Sequence, residues 1–302
     1  MELTALGECL ATPSCVVFQT VGGLKIGMLL FLVASGLTLI FGVLGVINFA
    51  HGTFYMLGAY LAHTAIALSG SFTVGVIAAA LGTAAIGIAF ERGLLSRIYR
   101  SDVLVQLLVC YAFILIVDDL VIIIWGDEFL SSLGVPDLFK VRPLFFAGGA
   151  VVPPFHLLLI GASVAVAVFL WLIMRRTRFG KIVRAAAHNP QMVSALGINT
   201  TLVYAGVFAL GSLLAGLGGA LAASERSISS GMGFSIVIES FIVTVIGGMG
   251  SIGGAFVAAI LIGMARSFGA IGFPLFTDGL MFMFMCLVLI LRPQGLFGQA
   301  ES

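Results

Sequence analysis

Residues 46–62 read VINFAHGTFYMLGAYLA. The run is apolar enough for hydrocarbon, yet it carries Asn48, His51, Gly52, Tyr55, Gly58 and Tyr60. An amide or an imidazole in lipid is costly unless a neighbour satisfies it, and such groups face a bundle interior or a wet cavity. Glycines there let two backbones approach closely, which is how helices pack in a bilayer without a hydrophobic drive between them. Asn48 and His51 lie three apart and Tyr55 four further on, so on a helix they share a face. Two uses of the stretch follow. It is a helix break satisfied by neighbouring helices, or it lines a path across the membrane. Both place it inside a bundle of membrane helices.

The rest of the chain agrees. Of its 302 residues 61% are hydrophobic and only 9% charged, with a mean hydropathy of +1.21. A soluble chain carries about a quarter charged residues, so this one lacks the surface to face water. The net charge of +1 and the lack of a long basic run exclude a nucleic-acid binder. A bilayer crossing takes about 20 apolar residues, and candidates lie near 21–46, 54–70, 72–90, 103–125, 155–174, 201–223 and 276–291. The stretch 236–268 is long enough to enter and return, and VIGGMGSIGGAF divides it into two segments. The expectation is an all-α polytopic bundle of about eight or nine transmembrane helices with glycine-broken segments. Between 126 and 154, Pro136, Pro143, Pro153 and Pro154 rule out one continuous helix.

Basic residues orient the spans. Arg92, Arg97 and Arg100 precede the span at 103–125; Arg175, Arg176, Arg178, Lys181 and Arg184 follow the one at 155–174; Arg292 closes the last. If the spans alternate, these fall on one side, and that side is cytoplasmic. The segment 1–20 and the loop 126–154 are then outside; the loop 175–200 and the tail 299–302 are inside. Glu2 and Glu8 stand where a cleavable signal would carry positive charge. Cys9 and Cys15 lie close together in that outer segment, where a disulfide is one option. Cys110 and Cys286, inside apolar runs, read as buried packing residues.

The inner loop reads RRTRFGKIVRAAAHNPQMVSALGINTT from Arg175 to Thr201. A short helix over IVRAAAHN is followed by Pro190, which starts a second turn after Asn189 as its cap. Gly197 offers a stop, and Thr200 or Thr201 a cap for the next span. A short helix pair flanked by charge is a shape for docking on a soluble partner; the plainer alternative is a basic loop that only sets topology.

Here the chain resembles a family. GKIVRAAAHNPQMVSALGIN and VFALGSLLAGLGGAL, between Gly180 and Leu221, are similar to the cytoplasmic coupling loop and next span of branched-chain amino acid ABC transporter permeases. GVINFAHGTFYMLGAYLA, VIGGMGSIGGAFVAAILIG and the closing LRPQGLFG resemble the family's other hallmarks in the right order, with 21–298 as a single permease domain. Of the two permeases such systems pair, this one resembles the shorter, LivH-type subunit. The resemblance implies half of a pore in a bacterial inner membrane, with the N-terminus periplasmic and the C-terminus cytoplasmic. It implies a second homologous permease, two P-loop ATPase subunits, a periplasmic solute-binding protein and surrounding lipid as partners. ATP would act in the partner subunits, since this chain has no GxxxxGK[ST] loop and is expected to be neither an enzyme nor a cofactor carrier. The implied solutes are branched-chain or other hydrophobic amino acids, urea, short amides or aromatic acids. Arg184, Ala186, Asn189 and Gly197 are the expected ATPase-coupling residues, and Asn48, His51, Gly52, Tyr55 and Gly58 the candidate solute pathway.

Other residues leave a rival. Asp118 and Asp119 in the span at 103–125, with Glu239, are what an ion-coupled secondary carrier would use. Glu91-Arg92 matches the family's span-ending pair and reads as an inner anchor. The histidines at 51, 63, 156 and 188 are scattered, so no metal site or intramembrane catalytic cluster is expected. GTFYMLGAY (52–60) and GMGSIGGAF (248–256) share Gly, five residues, then Gly-Ala-aromatic, an internal echo of the kind that marks transport sites.

Overall fold

The computed structural model describes residues 2–99, 101–131, 133, 144–145 and 149–298; the side chains of residues 2–4 are left aside. Arg100, Pro136, Pro143 and the tail 299–302 lie outside the described residues, as does about half of the 126–154 loop. The described chain is almost wholly helical: α1 (Glu2–Ala11), α2 (Pro13–Leu44), α3 (His51–Ser69), α4 (Phe72–Gly93), α5 (Val103–Trp125), α6 (Pro154–Arg176), α7 (Arg178–His188), α8 (Pro190–Ala195), α9 (Thr200–Ala222), α10 (Met232–Gly247), α11 (Ile252–Gly272) and α12 (Thr277–Leu291). Two-residue strands β1 (Leu144–Phe145) and β2 (Val151–Val152) pair antiparallel. In lipid every backbone group must be satisfied internally, which restricts spanning segments to helices or closed barrels. Among the described residues, seven helices are long and apolar enough to cross a membrane. The 16-residue α10 is apolar but shorter.

The observed boundaries depart from the expected ones most at the first long helix. The first long helix starts at Pro13, not near 21. Gln19 and Thr20 fall in the segment expected outside the membrane, but Gln19 sits in α2 and is satisfied from α11: Ser267 Oγ donates toward its carbonyl at 2.8 Å and its Oε1 at 2.6 Å. The stretch 236–268 does divide, into α10 and α11, with Gly248 and Gly250 at positive φ in the turn.

The chain forms two compact units. One comprises residues 1–31, 135–165 and 242–302. Its packing is set by small residues: a Cβ at Gly27 would stand 2.6 Å from the Ala259 carbonyl oxygen, and one at Gly263 would stand 2.3 Å from that of Gly23. The α2 and α11 backbones therefore touch, and Phe31 closes edge-on against Phe256 at 5.2 Å. Cys9 and Cys15 are joined by a disulfide across the α1–α2 corner. Lys25 Nζ lies 3.2 Å from His156 Nε2, so the imidazole that looked solitary in sequence has a partner. Cys286 is exposed on α12, a correction to its expected burial; this helix presents most of its surface outward, where an apolar thiol meets lipid as easily as core.

The other unit comprises residues 32–134 and 166–241. Its centre is α3, α4 and α9. A Cβ at Gly58 would meet the Gly216 carbonyl oxygen at 2.3 Å, and one at Gly87 would meet Ser212 Oγ at the same distance. Phe54, Phe90, Phe113 and Phe208 fill the space beside these contacts, with Phe90 and Phe113 4.1 Å apart. By contrast α5 turns Leu104, Leu108, Ile116 and Ile123 outward. Such a face costs nothing in hydrocarbon, and close packing by small residues holds the helices together.

Candidate functional site

Two places in the 32–134/166–241 unit carry the residues singled out by sequence. The first is the break between α2 and α3. Helix α2 ends at Leu44, Gly45 turns the chain at φ +68°, and α3 begins at His51. Asn48 therefore precedes the helix, and the single helical face expected to carry Asn48, His51 and Tyr55 is interrupted there. The start of α3 has no side-chain cap; a turn bond from His51 N–H to the Asn48 carbonyl (3.2 Å) closes it instead. His51 is fully buried, its Nε2 lying 3.0 Å from the Val33 carbonyl oxygen. Asn48 is fully buried too, and Cys110 Sγ donates to its Oδ1 at 3.8 Å. Asn48 Nδ2 and His51 Nδ1 have no partner among the described residues.

The glycines of this stretch are close-approach points. A Cβ on Gly52 would lie 1.9 Å from the Gly233 carbonyl oxygen. Tyr55, 4% exposed, presents its own carbonyl to Gly219, where a Cβ would again come within 1.9 Å. Asn48, His51, Gly52, Tyr55 and Gly58 are thus brought together along α3 and its entrance, packed among α2, α9 and α10.

The second place is the pair α7–α8. Thr177 caps α7, its Oγ1 accepting from Gly180 N–H at 3.1 Å. Asn189 caps α8, its Oδ1 accepting from Met192 N–H at 2.9 Å, with Pro190 in the first turn. Gly197 then takes φ +79°, a left-handed value that a side chain would resist. The cap of α9 is Asn199, not Thr200 or Thr201: its Oδ1 accepts from Thr201 and Leu202 N–H groups. Ala186, Val183 and Val193 are buried, while Arg184, Asn189, Met192 and Leu196 are exposed. Arg184 also donates through Nη1 to the Met174 carbonyl, tying α7 to the end of α6.

Close by, at the end of α4, Glu91 is buried and accepts from Tyr99 Oη at 2.5 Å. Burial first, then this carboxylate, push the Tyr99 phenol well above its usual range, so the proton stays on Tyr99. Gln106 Nε2 reaches the carbonyls of Ile98, Tyr99 and Ser101, at 3.4, 3.4 and 3.1 Å, and fixes the turn that carries the phenol.

The family model for the branched-chain amino acid transport system permease component matches residues 19–291. The chain belongs to that family. The permease is 31% identical over 297 residues to the high-affinity branched-chain amino acid transport system permease protein BraD of Pseudomonas aeruginosa, covering 94% of this chain and 96% of BraD. It is 28% identical over 299 residues to the corresponding LivH of Escherichia coli, with coverage of 94% and 96%. Among solved structures, PsaBC from Streptococcus pneumoniae in complex with Fab matches 96% of this chain and 95% of that one, at 14% identity and a TM-score of 0.49.

Sequence reasoning found the two stretches of this permease but not their partners. Val33, Cys110, Gly216, Gly219 and Gly233 complete the first, and each comes from a distant part of the chain. The signal for Gly216 and Gly219 is present in LLAGLGGALA, whose small residues recur along one face of α9. Tyr99 carried no signal by itself. Among the described residues no group of three or more metal-ligating side chains is found.

Proposed function

We propose that this permease is one of two membrane subunits of an ATP-driven importer for branched-chain or other hydrophobic amino acids, or for related small solutes such as urea, amides or aromatic acids. A second homologous permease completes the pore, two P-loop ATPases drive it, and an external binding protein delivers the solute. The carrying observation is the family match over residues 19–291, joined to a capped, exposed helix pair where a soluble motor needs a handle.

In this reading α7 and α8 face the cytoplasm and seat in the ATPase. Met192 and Leu196 supply apolar contact, Arg184 anchors α7 to α6, Ala186 packs its inner face, and Asn189 and Gly197 set the angle between the helices. The stretch Asn48, His51, Gly52, Tyr55 and Gly58 borders the solute path, its buried amide and imidazole held ready by the helix break. The Cys9–Cys15 disulfide supports an N-terminus on the oxidising, external side, and the basic clusters support an inner C-terminus.

The test is to purify the tagged chain gently from its native membrane and identify what accompanies it. A second permease and P-loop ATPases at stoichiometric amounts are expected. A chain that purifies alone and takes up solute on an ion gradient in liposomes would overturn this reading in favour of a carrier built on Asp118, Asp119 and Glu239. Orientation is read separately: a cysteine placed at Gln191 is expected to label only from the inside.

A further inference from the structure

Among the described residues, Glu91 is the only Asp, Glu, Lys or Arg that is buried. One carboxylate oxygen holds the Tyr99 phenol, and the other, Oε2, has no partner among the described residues. A buried acceptor left unmet is more costly than a hydrogen bond lost at the surface, so a carboxylate half-used in this way invites a second arrangement.

The contacts around it lead to the docking helices. Phe179 of α7 packs against Gly206 of α9, where a Cβ would stand 3.0 Å from its ring. Half a turn earlier on α9, Tyr204 meets Tyr99 edge-on, with ring centroids 5.7 Å apart and planes at 83°. Tyr99 then donates to Glu91 on α4. Gln106 of α5 holds the carbonyls of Ile98, Tyr99 and Ser101, so movement at Tyr99 falls on its side chain rather than its backbone.

We infer that Glu91 and Tyr99 form a relay between the ATPase-docking helices and the inner end of α4, with Glu91 a positioning residue. The two carboxylate oxygens offer two seats for one phenol. A shift of α7 moves α9, the Tyr204 edge turns Tyr99, and the hydrogen bond passes from Oε1 to Oε2 without being lost. Both ends bias this two-position element, which is what physical coupling between sites requires. Small residues leave α4 closely packed on α9 at Gly87 and Ser212, so a movement admitted at Glu91 is carried along α4.

This rests on the proposed transport function, and the experiment separates the two. The permease is reconstituted in liposomes with its second permease, ATPases and binding protein, and radiolabelled leucine uptake is measured per ATP hydrolysed. Tyr99→Phe keeps the ring and its contact with Tyr204 and removes only the donor. It is expected to lower leucine moved per ATP about fivefold, the low end of coupling between distinct sites, while hydrolysis continues. Glu91→Gln, with one acceptor oxygen instead of two, is expected to lower the same ratio. Tyr111→Phe, on the exposed face of α5, is expected to match wild type. A coupled wild type whose Tyr99→Phe and Glu91→Gln variants keep its ratio overturns the relay alone. Uptake and hydrolysis falling in parallel overturn it as well, since that marks loss of assembled complex. A wild-type complex that moves no solute on ATP, leucine or another family solute, overturns the transport reading and the relay with it.

Discussion

GTFYMLGAY at 52–60 and GMGSIGGAF at 248–256 look like copies, and their second halves behave as such. Gly58 and Gly254 are both helical, and both stand so close to a backbone carbonyl that a Cβ would come within 2.3 Å of Gly216 oxygen or 1.9 Å of Gly247 oxygen. Ala59 and Ala255 are both fully buried beside them. The first halves differ. Gly52 is already in α3, pressed on Gly233, whereas Gly248 and Gly250 form a turn at φ +99° and +87°. A shared glycine pattern therefore reports a shared need for close approach, not a shared backbone. In a bilayer that need is general, because association rests on packing at short range.

The largest effects are expected where the copies agree. Gly58→Leu and Gly254→Leu each force a branched side chain into backbone, an overpacking that costs about 3 kcal/mol or more. Neither variant is expected to survive detergent extraction as a monodisperse species, judged by size exclusion and thermal unfolding. Wild-type behaviour of either one would break the parallel between them.

A smaller effect is expected at the turn that precedes α3. Gly45 has φ +68° and nothing within 4 Å of where its Cβ would be, so only the left-handed backbone opposes a side chain. Gly45→Ala is expected to cost about 1.5 kcal/mol, and Gly45→Asn less, since asparagine tolerates that region. At Gly248 the same region is compounded by contact, a Cβ there falling 2.4 Å from Gly298 N. Asparagine is therefore expected to rescue the thermal midpoint at 45 and not at 248. Equal rescue at both would show that the second turn is looser than its contacts imply.

How much of this was legible depended on how local the chemistry is. The α7–α8 pair was readable because Asn189, Pro190 and Gly197 act on backbone within a few residues of themselves, and capping requires nothing from elsewhere. Even there the cap of α9 fell one residue from the expected position, because asparagine and threonine both serve and three candidates stand in a row. In the 46–62 stretch the kind of role was legible and the partners were not. Asn48 meets Cys110, 62 residues on, and nothing near Asn48 could announce it. The start of α2 was misjudged for the same reason, since Gln19 reads as polar until Ser267 is found beside it. Polar residues in a membrane chain declare that a partner exists, and only the fold supplies its name.

The two helix starts offer the finest comparison. Helix α11 begins with Ser251, whose Oγ accepts from Gly254 N–H at 3.1 Å. Helix α3 begins after Ala50, which has helical dihedrals and is fully buried. One start is held by a side chain and the other by a backbone turn bond and packing. Ser251→Ala is expected to cost about 1 kcal/mol through the lost cap, read as a lowered thermal midpoint of the purified complex. The reciprocal change, Ala50→Ser, is expected to give no gain: at φ −67° and ψ −2° the residue lacks the extended geometry of a cap, and its hydroxyl would be buried. If Ala50→Ser stabilises the permease, the entrance to α3 is open enough to hold a capped turn, and the claim that the Asn48 turn bond and packing serve in place of a side-chain cap fails.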